Sequence, residues 1–108
     1  MDAKLIERLR AQLGGPRDGA MLRYSLGNAL LAQGDAAGAV VALREALAVD
    51  ERYSAAWKAL GHALVQSGDP AAALAAWEQD IAVARARGDV QAAKEMGVFA
   101  RRLHQAAP

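Results

Sequence analysis

Two histidines, His62 and His104, are the residues of this 108-residue chain best suited to acid–base or metal chemistry. A catalytic histidine needs a partner that orients it, but the neighbours of His62 one helical turn away are Lys58 and Gln66. A metal site needs several converging ligands, and no spacing of His, Asp and Glu here is typical of one. The absence of Cys excludes disulfides, thiolate catalysis and zinc–thiolate sites. We therefore expect no enzymatic activity, no metal and no cofactor.

The charge and hydropathy of the chain argue against nucleic-acid and membrane partners. The net charge is +1, and Gly14-Gly15-Pro16 lacks the spacing of a phosphate-binding loop. Residues 81–108 hold five basic and two acidic residues, which indicates a solvated helix face or a preference for an acidic partner. No segment reaches the ~18 unbroken apolar residues of a membrane span, and residues 1–13 lack a signal-peptide core. We expect a cytoplasmic location.

The sequence contains an internal repeat of 34 residues, and this repeat predicts the helices that carry the candidate functional side chains. Apolar residues recur at helical spacing in each unit, Gly ends the first helix, and Asp caps the second. Pro70 suits the first position of a helix, and Ala makes up about a quarter of the chain, which favours closely packed helices. The matching segments are Leu26-Gly27-x-Ala29-Leu30 with Leu60-Gly61-x-Ala63-Leu64, and Gly34-Asp35 with Gly68-Asp69.

The repeat resembles the tetratricopeptide repeat, whose pattern is Trp-x2-Leu-Gly-x2-Tyr, then Ala-x3-Phe, then Pro. The second unit has Trp57-x2-Leu60-Gly61-x2-Leu64 and Ala73-x3-Trp77, and the first has Arg23-x2-Leu26-Gly27-x2-Leu30 and Ala39-x3-Leu43. The closing Pro is absent, with Glu51 and Arg85 in its place. The resemblance implies an all-α, right-handed solenoid of two helix-turn-helix units between capping helices, and it places both Trp side chains in the core.

The chain is expected to form one domain. Its segments are residues 1–17 (an N-terminal capping helix and loop), 20–53 (repeat 1), 54–87 (repeat 2) and 88–108 (a C-terminal capping helix). Asp18 and Asp89 are predicted caps for the helices that follow them. Gly97 lies 36 residues after Gly61, so the last helix looks like a decayed repeat helix, and the two extra residues are expected to lengthen the helix before it.

The resemblance also implies where a partner binds, because the first helices of such repeats line a concave groove. The implied peptide-binding residues are Tyr24, Asn28, Lys58, His62, Lys94 and Arg101, with Leu31, Gln66 and Val98 alongside. Helical spacing independently puts Tyr24, Asn28 and Leu31 on one face, away from the core stripe. An ordinary solvated face is the competing interpretation. The carboxylate clamp of one chaperone-binding subfamily is incomplete here, because Tyr24 and Ala59 stand where that clamp has Lys and Asn.

The sequence therefore predicts a protein–protein interaction module that binds a peptide or helix of a partner protein. Its cations favour a partner with acidic or carboxylate groups. The alternative is a structural module that self-associates through its terminal helices, and the chain is expected to be a monomer or a weak homo-oligomer. A third alternative, a small-molecule enzyme, would need a convergent polar pocket, and no residue pattern indicates one.

Overall fold

The computed structural model describes residues 3–106, with side chains up to Leu103, and this part of the chain contains six α-helices and no strand. The predicted all-α repeat architecture is confirmed. The helices are α1 (Ala3–Ala11), α2 (Ala20–Ala32), α3 (Ala36–Val49), α4 (Ser54–Gln66), α5 (Pro70–Ala86) and α6 (Val90–Ala106). The first two residues and the last two lie outside the described range.

The turn within each repeat follows the Gly-Asp pairs of the sequence. Gly34 and Gly68 adopt φ of 93° and 88°, in the left-handed region that favours glycine. The carboxylate of Asp35 then accepts from the backbone N–H of Gly38 at 2.9 Å. Asp69 and Asp89 cap α5 and α6 in the same way, with N···O distances of 3.1 and 3.0 Å. The caps predicted for α3, α5 and α6 are thus confirmed.

The cap predicted for α2 is wrong. The N-cap of α2 is Gly19, which makes no side-chain cap. Asp18 instead accepts from the N–H of Gly14 at 2.8 Å and binds the guanidinium of Arg23 through two hydrogen bonds of 3.0 and 2.8 Å. The Arg23 hydrogen bonds lower the pKa of Asp18. A two-pronged bond to a guanidinium is stronger than a neutral N–H contact, so Asp18 stabilises the α1–α2 loop rather than the helix end.

The helices stack so that each one packs chiefly on its neighbours in the chain, and α2 also touches α4. The two mid-helix glycines make this packing close. A Cβ on Gly27 would lie 2.6 Å from Cγ of Leu43, and one on Gly61 would overlap the indole ring of Trp77. Only a residue without a side chain lets α3 and α5 approach α2 and α4 this closely, which offsets the poor helix propensity of Gly.

The two Trp side chains differ in burial. Trp77 is only 4% exposed. Trp57 packs against the core but stays partly exposed, and its indole N–H donates to the carbonyl oxygen of Glu51 at 2.8 Å. The prediction that both are core residues therefore holds for Trp77 and only in part for Trp57. The partial exposure follows from its place on a groove between α3 and α5, next to Arg44 and Gln79.

The second helices of the two repeats have different lengths. Helix α5 has 17 residues and α3 has 14. This longer helix accommodates the two extra residues between Gly61 and Gly97, as the spacing predicts. Within the described range, no helix is long and apolar enough to cross a membrane.

Candidate functional site

The α2 part of the predicted groove is an aromatic pair beside an exposed amide. The rings of Tyr24 and Tyr53 lie 5.0 Å apart at the junction of α2 with the start of α4. Burial raises the pKa of Tyr53. Asn28 is exposed one turn further along α2. The pair fixes the orientation of Tyr24, because its ring has a packed neighbour at the N-cap of α4.

The α4 part is an aromatic cluster in which His62 lies between two rings. Its imidazole contacts Trp77 of α5 and Phe99 of α6 edge to face, with centroid distances of 5.2 and 5.3 Å. Trp77 and Phe99 also meet, at 5.6 Å. Burial lowers the pKa of His62, and the nearby charge of Lys58 lowers it further. His62 therefore favours the neutral form, and its titration falls below the ordinary value of 6.5.

Lys58 links α4 to α6 at the edge of this cluster. Its ammonium forms an ion pair with Glu95 and lies 5.9 Å from the centroid of the Phe99 ring. Both charged side chains keep about two fifths of their surface exposed, at 43% for Lys58 and 41% for Glu95. Exposed ion pairs of this kind contribute little to stability, so a carboxylate of a partner can compete for Lys58.

Lys94 and Arg101 lie elsewhere. Both are exposed on α6, and they line a slot at the C-terminal end of the stack together with Ile81 and Arg85 of α5. The structure thus distributes the six implied residues over three places: Tyr24 and Asn28 on α2, Lys58 and His62 at the α4–α6 junction, and Lys94 and Arg101 at the end slot. A single site formed by all six stays a prediction.

The sequence interpretation missed a buried carboxylate, Asp80, which is 1% exposed and accepts a hydrogen bond from the hydroxyl of Ser54. Burial raises the pKa of Asp80, against the hydrogen bond from Ser54 and the charge of Lys58. The signal was present in the repeat, because the first unit has Ala20 and Ala46 at the positions of Ser54 and Asp80. A polar pair that replaces two alanines on a core face indicates a buried hydrogen bond.

Asp80 shares a cavity of about 270 Å³ with Lys58, Glu95 and Asp89. The cavity lining thus combines one cation with three carboxyl groups. Among the residues that the structure describes, no group of three or more His, Asp or Glu side chains is arranged to hold a metal ion.

Comparison with known proteins gives three findings. Residues 30–97 match the family model of the tetratricopeptide repeat. The chain is 46% identical over 102 residues to the TPR repeat-containing protein PA0015 of Pseudomonas aeruginosa, covering 94% of this chain and 97% of that protein. It is also similar to the solution structure of protein BPP2914 from Bordetella parapertussis, with a TM-score of 0.80 and 44% identity, covering 94% of this chain and 88% of that one.

Proposed function

Because this chain belongs to the tetratricopeptide repeat family, we propose that it is a non-catalytic module that binds a peptide or helix of a partner protein along its first helices, α2, α4 and α6. Repeats of this family generally mediate protein–protein interaction. The partner is proposed to carry acidic or carboxylate groups, and the cytoplasm is the proposed compartment, in keeping with a chain that has no Cys.

The observation that carries this proposal is the cluster of Lys58, His62 and Phe99 between α4 and α6. A partly exposed aromatic ring, an imidazole and a half-exposed cation are held in fixed positions by packing across two helices. Side chains that are already ordered lose little entropy when a ligand binds. Such a surface suits an extended or helical peptide whose carboxylate replaces Glu95 as the partner of Lys58.

The proposal is tested by site-directed photo-crosslinking in the native cell, with the crosslinker at Asn28 on α2 and, as a matched control, at Glu78 on α5. Both residues are exposed, so neither substitution disturbs the core. We expect adducts with a defined partner from Asn28 and none from Glu78. Adducts from Glu78 alone would place the partner on the second helices and contradict the proposal.

A second test uses the identified partner peptide and the double variant Tyr24→Ala with Asn28→Ala. Its affinity is expected to drop about tenfold or more, since removing a central aromatic contact often costs over 1 kcal/mol. Glu78→Ala with Gln79→Ala is the control. Charge reversal of Lys58 is unsuited to this purpose, because Lys58→Glu would face Glu95 and would weaken the α4–α6 contact itself.

A further inference from the structure

Three glycines occupy the same register on α2, α4 and α6, but only two of them are covered. Gly27 lies under Leu43 of α3, and Gly61 lies under Trp77 of α5. In both repeats the covering residue follows its glycine by 16 positions on the antiparallel helix. A Cβ on Gly97, by contrast, would crowd no atom of another helix. Its nearest contact would be Nη1 of Arg101, in the same helix, at 3.6 Å.

An open slot of about 610 Å³ lies in front of Gly97. Its lining residues include Ile81 and Arg85 of α5 and Ala93 of α6. One repeat earlier, Leu47, Glu51 and Trp57 form the surface equivalent to this slot, and they border a groove that α5 also lines. The second helix of that repeat, α5, thus sits against the equivalent surface. The slot is therefore the place that the second helix of a third repeat would occupy.

The described part of the chain does not fill this place. The turn residues Gly34 and Gly68 follow their mid-helix glycines by seven positions, and the equivalent position after Gly97 is residue 104. A histidine stands there, and α6 continues as a helix to Ala106 instead of turning back.

The charge of the slot indicates the chemistry of its occupant. Its charged lining residues, among those described, are Arg85, Lys94 and Arg101, all of them basic. Two copies of this chain joined slot to slot would bring six cations together, and like charges in an interface oppose association. An acidic helix of a different protein meets no such repulsion.

We propose that this slot binds one amphipathic α-helix of another protein, with a large apolar side chain against Gly97 and acidic side chains opposite Arg85, Lys94 and Arg101. The slot uses the face of α6 that carries Gly97, Lys94 and Arg101, whereas the groove of the proposed function uses the face of α6 that carries Glu95 and Phe99. The register of Gly27 with Leu43 and of Gly61 with Trp77 carries this proposal, together with the uniformly basic lining.

The chain itself provides the probe for a test. A synthetic helix with the sequence of α5 contains the Trp that covers Gly61, and it can be held helical by a covalent cross-link, because isolated helices of this length are marginal. In the protein, Ala75 and Gln79 of α5 border the same groove as Arg44 and Glu51, and Glu51 is the repeat equivalent of Arg85. In the probe, these two positions would therefore face Arg85 of the slot. An acidic probe carries Ala75→Glu and Gln79→Glu, and a basic probe carries Lys at both positions.

Fluorescence anisotropy with the full chain is expected to show saturable binding of the acidic probe, about tenfold tighter than that of the basic probe at low salt. The variant Arg85→Glu with Lys94→Glu should reverse this order. Gly97→Leu fills the slot and should weaken the acidic probe about tenfold or more. Gly97→Leu is expected to fold, since it removes an unfavourable helix residue and its Cβ makes only an ordinary van der Waals contact, 3.6 Å from Nη1 of Arg101.

The double variant Tyr24→Ala with Asn28→Ala should bind the acidic probe as tightly as the natural chain does. This result would separate the slot from the proposed groove. The proposal is overturned if neither probe binds saturably, or if Gly97→Leu binds the acidic probe as well as the natural chain does. Sedimentation equilibrium of the chain alone gives the remaining outcome. A dimer that Gly97→Leu abolishes would make a second copy the occupant and would overturn the assignment to another protein.

Discussion

The indole ring of Trp77 packs on Gly61 across the α4–α5 interface, and its N–H donates to the carbonyl oxygen of Lys58 at 3.2 Å. One side chain thus joins α5 to α4 by both packing and a hydrogen bond. Phe99 of α6 contacts the same ring, so Trp77 also connects the second repeat to the last helix.

Replacing Gly61 by Ala is expected to destabilise the protein by about 1–3 kcal/mol, because the new methyl group would overlap the Trp77 ring. Gly97→Ala is the matched control, since its methyl group overlaps no atom, lying 3.6 Å from Nη1 of Arg101, and the change gains up to ~1 kcal/mol of helix propensity. Urea denaturation followed by circular dichroism measures both. Equal stability of the two variants would show that α5 does not depend on this close approach.

Trp77→Ala is expected to cost about 3–5 kcal/mol, a typical loss for a buried aromatic residue. Trp57→Ala should cost less, because Trp57 is partly exposed and borders a groove. Thermal melting of the two variants beside the natural chain gives the comparison. A larger loss for Trp57 would contradict the burial described for the two rings.

Asp80→Asn is expected to raise the free energy of unfolding at neutral pH. Burial raises the pKa of Asp80 above its ordinary value of 3.8. At any pH between 3.8 and the raised pKa, the folded state therefore binds more protons than the unfolded state. Its contribution to stability is present below pH 3.8 and is lost as pH rises through the folded pKa. The Asn side chain keeps an oxygen for the Ser54 hydroxyl but carries no charge.

Denaturation as a function of pH tests the role of Asp80. The difference between Asp80→Asn and the natural chain should be largest near neutral pH and should shrink as the medium becomes acidic. Asp80→Ala, which removes the acceptor as well, should instead lower stability, by about 1 kcal/mol or more for the lost hydrogen bond. A destabilised Asn variant at neutral pH would mean that the ionised carboxylate is favourable where it lies.

His62 gives stability the opposite dependence on pH. Its pKa is lowered by burial, so the unfolded state binds more protons between the folded pKa and 6.5. The contribution of His62 to stability is therefore present above pH 6.5 and is lost as pH falls through the folded pKa. Replacing His62 by Gln should flatten the stability curve in that window. A curve with unchanged slope in the variant would assign the acid sensitivity to other groups.

The repeat architecture was predictable because its determinants are local. The positive φ of Gly34 and Gly68 and the caps at Asp35 and Asp69 depend on residues a few positions apart, and a 34-residue register relates one unit to the next. Asp18 was mispredicted because its stronger partner, the guanidinium of Arg23, belongs to the next helix.

The candidate site was less predictable because it depends on contacts between helices. Helical spacing places His62 on a face, but it does not show that Trp77 and Phe99 enclose the ring. Lys58 illustrates the same limit, since its ion pair with Glu95 spans 37 residues. The family pattern gives the position of Lys94 on α6, whereas the side on which Lys94 ends depends on how α6 rests on α5.

The neighbour-to-neighbour packing of the helices has a consequence for folding kinetics. Contacts join segments that are close in the chain, so little loop entropy is lost before they form, and chains of this kind fold fast. The packing also makes the cooperativity uneven. Helix α1 packs chiefly on α2 and is the shortest of the six described helices, so it can open without unfolding the rest. Amide hydrogens of α1 should therefore exchange with solvent sooner than those of α4, which has packed helices on both sides.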